Sequence, residues 1–343
     1  MYSTVKTPLE RNQLQSLLSR VDGARIGLIG DLCLDMYWLA DMKLSELSRE
    51  TPHYPLPVVS ERCAPGGAGN AACNIASLCP AHLSVIGTMG MDWRGELLTH
   101  EMEKRGIDCT HIVHDASLVT NAYIKPLRRG ISDVTYEDPR LDFENRAPIS
   151  EACEEKLIAA LDIVAGEVDV LCVSDQMKFG CITPRIRRHI SEMGRLGKTI
   201  IVDSRDHAGD YSHVIVKPNE VEAARSFAGG AECDLERLAE LALEVSGKNE
   251  RTTLITLGDK GCFVAEGGNV VRIPACPVEP PIDFCGAGDT FLAGFASLLA
   301  AGASPVQAAQ IATLCSAVTI KKIGTTGTAS RDEVIAAWNQ YMA

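Results

Sequence analysis

From residue 151 onward the chain alternates between two hydrophobic periods, and that alternation restricts the folds open to it more than any other feature. Glu151 to Val164 has helical spacing and leads into the apolar run Val168 to Ser174. Pro184 to Leu196 leads likewise into Thr199 to Val202, and Val214 to Val216 precedes a helix starting near Asn219. Helices regularly interleaved with short apolar strands read as a doubly wound α/β fold on a parallel sheet. Polar residues recur where these strands end, namely Asp175 and Lys178, Asp203 and Arg205, then Lys217, Asn219 and Glu222. Each alone reads as a cap or an exposed charge; their repetition at one rim points to a ligand-binding edge.

Upstream, Leu9 to Val21 has the spacing of a lead-in helix ending at Asp22-Gly23, and Arg25 to Gly30 is a short apolar strand. After Gly30-Asp31 the chain is expected to enter a loop carrying Asp35, which reads either as a partner for sugar hydroxyls or as a solvated acid. Met36 to Arg62 is irregular, with Tyr37, Trp38 and Tyr54 and with Pro52, Pro55 and Pro57 before Val58-Val59. Proline confines such a stretch to edge strands or extended connections. Asn121 to Phe143 is similar: Ala122-Tyr123-Ile124 and Val134-Thr135-Tyr136 flank a turn at Arg129-Gly130 and lead into Arg140-Leu141-Asp142-Phe143-Glu144. These two inserts, about 36–62 and 120–143, predict a small sheet acting as a lid.

Between them, Pro65-Gly66-Gly67-Ala68-Gly69-Asn70 is a glycine turn running into a helix of small residues. Asn70 reads either as a hydroxyl-binding side chain or as a helix cap. A strand at Leu83 to Gly87, a turn through Gly90, Asp92 and Gly95, and a helix from Glu96 to Arg105 follow. Further on, Thr253 to Thr256 is a strand, Gly258 and Gly261 mark a hairpin, and Val270 to Ile273 is a further edge strand. A helix capped by Ser304 runs from Pro305 to about Lys322. A capping box at Ser330 to Glu333 starts the last helix.

With 343 residues, 46% of them hydrophobic, the chain can bury a large core. A net charge of −12 argues against nucleic acid or an anionic membrane as the main partner. The thirteen cysteines are scattered and form no C-x-x-C pair, which suggests neither a zinc site nor a disulfide framework. No basic leader precedes an apolar run and no stretch is long enough to cross a bilayer, so a cytoplasmic protein is expected.

Asp283-Phe284-Cys285-Gly286-Ala287-Gly288-Asp289-Thr290-Phe291 is a second glycine turn, opening the small, apolar helix Leu292 to Ala301. Uncovered N–H groups at such a helix start favour an anion such as phosphate. Asp289 reads either as a carboxylate complementing the helix dipole or as a base beside that anion.

In this order and spacing, Gly30-Asp31 with Asp35, Gly66-Gly67 with Asn70, Gly87 to Gly95, Asn219 with Glu222, Gly258 with Gly261, and Asp283 through Asp289 resemble the ribokinase, or PfkB, family of carbohydrate kinases over residues 25–330. Several segments are similar to the heptose 7-phosphate kinases of ADP-heptose synthesis: Gly30 to Trp38, Pro55 to Val59, Arg140 to Glu144, and Ser174-Asp175 with Lys178. The chain departs from that subfamily at Gln176, where a tyrosine is expected, at Phe179 in place of glycine, and at Asp203-Ser204-Arg205 in place of Asp-Pro-Lys. Cys285 stands where threonine is common. No nucleotidyltransferase segment follows, so a kinase alone is expected.

The resemblance implies a single ribokinase-like kinase domain over 1–343, a three-layer, mainly parallel sheet with its lid. It implies Asp289 as general base and the N–H groups around Gly286, Ala287 and Gly288 as an anion hole. Asp35, Gly66, Gly67 and Asn70 would bind the sugar, joined by Arg140, Asp142 and Lys178. Asn219 and Glu222 would serve the nucleotide phosphates and Mg²⁺, partly through water. Thr256, Gly258 and Gly261 would flank ATP, and Asp283 would help hold a monovalent cation such as K⁺. The expected reaction carries the γ-phosphate to the anomeric C1 hydroxyl of D-glycero-D-manno-heptose 7-phosphate, in a homodimer paired through the lid. Other acceptors of the family (ribose, fructose, fructose phosphates or nucleosides) are the alternative, and a non-catalytic sugar or nucleotide sensor is a further one. A nicotinamide dehydrogenase would need G-x-G-x-x-G after the first strand, and a P-loop kinase G-x-x-x-x-G-K-[ST]; the sequence has neither.

Overall fold

A computed structural model describes residues 2–5 and 8–342. In its first half the elements are β1 (Ser3–Thr4), α1 (Arg11–Arg20), β2 (Arg25–Gly30), β3 (Leu32–Asp41), β4 (Val58–Gly67), α2 (Ala68–Ser77), β5 (His82–Gly90), α3 (Trp93–Glu103), β6 (Asp108–Asp115), β7 (Ala122–Arg129), β8 (Thr135–Glu137) and β9 (Leu141–Phe143). The second half runs α4 (Glu151–Glu167), β10 (Val170–Asp175), α5 (Pro184–Arg195), β11 (Ile200–Ser204), β12 (Ile215–Val216), α6 (Glu220–Phe227), α7 (Leu235–Asn249), β13 (Thr253–Thr256), β14 (Cys262–Glu266), β15 (Asn269–Ile273), α8 (Ala287–Ala300), α9 (Pro305–Thr319) and α10 (Arg331–Tyr341).

Ten strands form the main sheet in the order β1-β15-β14-β13-β12-β11-β10-β2-β5-β6. It is parallel from β13 through β6, while β14 runs antiparallel to both of its neighbours. Alternate residues of the central strands serve two faces. Ile26, Leu28, Cys172 and Ile201 join a core with α1, α2, α8, α9 and α10, whereas Ile29, Leu171, Val173 and Val202 join one with α4 and α5. A Cβ at Gly27 would meet Val164 at 2.8 Å, so glycine there lets α4 lie close against β2. The chain winds from β2 to β5 and β6 on one side and returns through β10 to β13 on the other. The crevice between the carboxyl ends of β2 and β10 is therefore the switch point, where ligands bind in folds of this topology.

A second, five-stranded sheet pairs β4-β3-β7-β8, with β9 also on β7. Here one expectation is corrected. Asp35 lies within β3 rather than in a loop, because the chain turns at Asp31 directly into a strand held by β4 and β7. The first insert likewise contributes strands at 32–41 and 58–67, and its prolines occupy the strandless connection between them. Three elements, β1, β6 and α7, fall where the sequence reading assigns none. The edge expected of β15 belongs to β1, which pairs parallel with it.

Candidate active site

The turn before α8 is shaped by its own backbone. Gly286 has φ 78°, the left-handed region open chiefly to glycine, and a Cβ there would come within 2.6 Å of Asn70 Nδ2. The Asp283 carboxylate accepts N–H bonds from Cys285 (3.0 Å) and Gly324 (2.9 Å), which fixes the entry to the turn. The Ala287 N–H donates to the Phe284 carbonyl at 3.1 Å. Among the described residues no acceptor meets the N–H groups of Gly286, Gly288 or Asp289, and these are the open donors at the positive end of α8. The helix reaches the crevice because its small residues pack closely; Gly294 lies against Ala312 and Cys315 of α9.

Asp289 is part-buried in the first turn of α8 and accepts a 2.7 Å hydrogen bond from Asn70 Nδ2. Burial pushes its carboxyl up to about 7, with Asp203 and Asp35 adding to the rise and the Asn70 bond and Lys217 opposing it. Asn70 is a buried residue inside α2, whose N-cap is Gly67, so the cap reading is corrected. Asn74 Nδ2 bonds the Asn70 carbonyl (3.0 Å) and side-chain oxygen (3.3 Å), and Asn74 Oδ1 accepts from Thr290 Oγ1 at 3.1 Å. The Thr290 N–H donates to the Gly286 carbonyl at 3.0 Å, tying this network to the turn.

Below the turn, Lys217 Nζ stands 2.9 Å from Asp203 Oδ2, with the two side chains 3% and 9% exposed. Burial alone would lower this lysine, but Asp203, with Glu222 and Asp289 nearby, more than offsets it and holds it raised. Lys217 Nζ would lie 3.9 Å from a Cβ on Gly288. Asn219 and Glu222 form the capping box of α6: Asn219 Oδ1 accepts from the N–H of Val221 and Glu222, and Glu222 Oε2 from that of Asn219. Glu222 is raised by burial, and among the described residues its other oxygen has no hydrogen-bond partner. Thr256 bridges to Asn219 at the end of β13. Gly258 (φ 57°) and Gly261 (φ 94°) shape the turn of the β13–β14 hairpin, where a Cβ on Gly261 would strike the Ile273 carbonyl.

On the opposite side, Gly66 leaves room for the Asp35 carboxylate, which a Cβ would meet at 2.7 Å, and Gly67 (φ 54°) lets the chain pass the Asp31 carbonyl. Burial raises Asp35, with Lys125 and Arg140 opposing. Lys125, half-buried on β7, donates to Tyr37 Oη at 3.3 Å and carries no carboxylate ion pair among the described residues. Arg140 grips Asp142 through two bonds of 2.6 and 2.7 Å on an exposed strand, with its guanidinium over Tyr123. Lys178 is exposed over Phe179. Its loop is held by the buried carboxylate of Asp31, which accepts N–H bonds from Gln176 (2.8 Å), Met177 (2.7 Å) and Cys181 (2.8 Å). Asp175 faces inward, onto Arg187, Ser204 and Tyr211.

The fold thus links Asp35, Gly66, Asn70, Gly286, Gly288, Asp289, Glu222, Asn219 and Thr256 into one rim. Arg140, paired with Asp142, acts electrostatically on Asp35, while Lys178 is exposed on the loop after β10. Sequence reading places Lys217 on the rim without a specific role and gives none to Lys125 or Asn74. A lysine directly after the buried Ile215-Val216 and before a Pro-Asn cap is the signal that singles out Lys217, since burial there requires a partner. Among the described residues, no three His, Cys, Asp or Glu side chains gather as a metal site.

The pfkB family carbohydrate kinase model matches residues 34–332. The bifunctional protein HldE of Geotalea uraniireducens is 32% identical over 334 residues, covering 96% of this chain and 66% of its own length. HldE of a Bradyrhizobium species is 33% identical over 312 residues, covering 89% and 61%. The chain therefore spans just under two thirds of the length of these relatives. Among solved structures, Arabidopsis thaliana ribokinase complexed with ribose and ATP matches with a TM-score of 0.66 at 17% identity, over 92% of this chain and 98% of that one. Escherichia coli phosphofructokinase-2 in complex with substrates and products matches at 0.71 and 18%, over 93% and 100%. At these identities the structural likeness concerns the fold. No helix among the described residues is long and apolar enough to cross a membrane.

Proposed function

The chain belongs to the pfkB family of carbohydrate kinases, phosphotransferases with an alcohol acceptor, and within it we propose an ATP- and Mg²⁺-dependent kinase acting on D-glycero-D-manno-heptose 7-phosphate at its C1 hydroxyl. One observation carries the phosphoryl-transfer reading: Asp289 lies in the first turn of α8, where the N–H groups of Gly286, Gly288 and Asp289 meet no acceptor among the described residues, and Lys217 Nζ would lie 3.9 Å from a Cβ on Gly288. Transfer needs an acceptor oxygen in line, charge stabilisation on the γ-phosphoryl oxygens and somewhere for the hydroxyl proton to go. Asp289 receives that proton as the acceptor oxygen bonds phosphorus and the bond to ADP breaks. The N–H groups of Gly286, Gly288 and Asp289, with Lys217, meet the charge on the transferring group.

Asp35, in the cleft opened by Gly66 and Gly67, binds acceptor hydroxyls, and Arg140, Asp142 and Lys178 serve its far end. Thr256 and the Gly258–Gly261 hairpin flank the nucleotide. Mg²⁺ neutralises phosphate oxygens when bound; a single free oxygen of Glu222 beside the Asn219 cap suits an ion that keeps most of its water shell. A monovalent cation such as K⁺ at Asp283 would have to share a carboxylate that already accepts two N–H bonds. The small sheet closes as a lid to keep water from the transferring group. Its β4 edge, with Val58 and Val59 exposed, pairs two copies into a dimer.

Support for the heptose phosphate acceptor comes from the motif resemblance and the HldE relatives. Gln176, Phe179 and Ser204-Arg205 favour, as a second reading, another acceptor of the same family. Both are tested by ADP release across heptose 7-phosphate, ribose, fructose, fructose phosphates and nucleosides. Fastest turnover on heptose 7-phosphate is expected; a different best acceptor selects the second reading, and no acceptor-dependent release from folded protein removes both.

A further inference from the structure

We infer that Arg62 is a positioning residue which makes the shape of the glycine turn depend on where the small sheet stands. Arg62 projects from β4 and donates through Nη2 to the Gly324 carbonyl at 2.6 Å, across 262 residues of chain. Gly324 has φ 69°, and the conformation that aims its carbonyl at Arg62 also aims its N–H at Asp283 Oδ2, 2.9 Å away. The other oxygen of that carboxylate accepts the Cys285 N–H at 3.0 Å, and Gly286 follows. Three successive hydrogen bonds thus join the small sheet to the donors that open α8. The Asp283 N–H is itself bonded to the Ile320 carbonyl at 2.8 Å, so the middle of the relay is anchored to the end of α9.

The attachment of Arg62 suits a linkage that engages and releases. Its guanidinium lies 4.3 Å from the centroid of the Tyr37 ring, its neighbour across β3 and β4, and Tyr37 Oη accepts from Lys125 on β7. Among the described residues it has no carboxylate ion pair that would hold it in place regardless of the sheet's position. Its one polar hold on the rest of the molecule is the Gly324 carbonyl, which it keeps only while β4 stands beside the loop after α9. Movement of the sheet away from that loop frees Gly324, then Asp283, then the turn.

This rests on reading the turn as the phosphate-binding element and the small sheet as the moving part. The test compares Arg62→Met, which keeps the apolar stem, with Arg62→Lys, which keeps a donor. For Arg62→Met we expect kcat to fall about tenfold, the scale of one charge-assisted hydrogen bond, with the KM for ATP within about twofold of the parent on the same reasoning. ATP hydrolysis without acceptor should rise relative to transfer, and Arg62→Lys should recover part of kcat. Amide hydrogen exchange over 283–290 should quicken in Arg62→Met while α4 and α5 stay unchanged. Unaltered kcat together with unaltered exchange over 283–290 overturns the inference, as does faster exchange spread evenly over the protein. Because exchange is read without turnover, it tests the relay even if the parent phosphorylates no acceptor in the panel, a result that would instead remove the kinase reading.

Discussion

Asn70 Nδ2 stands 2.7 Å from Asp289 Oδ2, and it is the one hydrogen bond the described structure gives this carboxylate. A donor of this kind favours the ionised acid, while burial, the larger influence, pushes it up to about 7. A base must be ionised to receive a proton. The wild-type kcat/KM is therefore expected to climb with pH through a limb near 7 and level off above it. Asn70→Ala deletes the bond that favours ionisation, so its limb should move to higher pH. A pH–rate profile of both proteins checks this, and superimposable limbs would refute the role given to Asn70.

Replacing the acid itself should separate activity from stability. The folded carboxyl lies above its ordinary 3.8, so the folded protein binds a proton that the unfolded chain releases. Its contribution to stability is full below about 4 and is lost as pH rises through about 7. Asp289→Asn cannot ionise and escapes that loss. The variant should gain stability over wild type as pH goes from 4 to 7, with no further gain above, measured by urea unfolding at several pH values. Its kcat should fall by about 10² to 10⁴, the range for losing a general base. Near-normal turnover in Asp289→Asn would mean that another group takes the proton.

Arg25–Gly30 and Thr253–Thr256 are legible to the residue because each is an apolar run closed by a glycine or flanked by polar residues, in a sheet buried on both faces. The small sheet was legible in kind but not in extent. Asp31 to Asp41 reads like a loop because Asp31 and Asp35 interrupt it, yet one carboxylate is satisfied by three backbone donors and the other faces the crevice. Helix α7 did carry a signal, since Asp234 caps an amphipathic run with Leu238, Leu241, Ala242 and Val245 buried. β6 carries little, because an edge strand written Asp-Cys-Thr-His-Ile-Val-His-Asp alternates weakly. At the site, motif residues with local roles could be placed from spacing. The pairing of Asn70 with Asp289 spans 219 positions and that of Lys217 with Asp203 joins two strand ends, so both needed the topology.

Lys217 and Asp203 form a buried ion pair 2.9 Å apart. Removing one member leaves the other charged without compensation, at a cost of about 3–5 kcal/mol, whereas removing both together costs much less. Lys217→Met should lose stability on that scale in urea unfolding, and Lys217→Met combined with Asp203→Asn should regain most of it. Activity should stay low in the double variant, since the ammonium beside Gly288 is gone in both. Recovery of turnover along with stability would assign Lys217 a structural role only.

Gly286 and Gly288 lie two residues apart, yet they should fail differently when each is given a methyl group. At Gly286 the backbone is left-handed, which costs a residue with a Cβ about 1–2 kcal/mol, and the new carbon would press within 2.6 Å of Asn70 Nδ2. Gly286→Ala should therefore lower stability and, by displacing Asn70 from Asp289, move the pH limb upward as Asn70→Ala does. Gly288 is already helical, and among the described residues beyond its own helical turn its Cβ would meet nothing nearer than Lys217 Nζ at 3.9 Å. Gly288→Ala should fold as well as wild type and keep the limb in place, but its methyl covers the open N–H groups, so the loss should appear in kcat and in ATP affinity. Thermal unfolding and pH–rate profiles of the two variants decide the matter. If both alanines shift the limb equally, the limb reports general disturbance of the turn and not the Asn70–Asp289 bond.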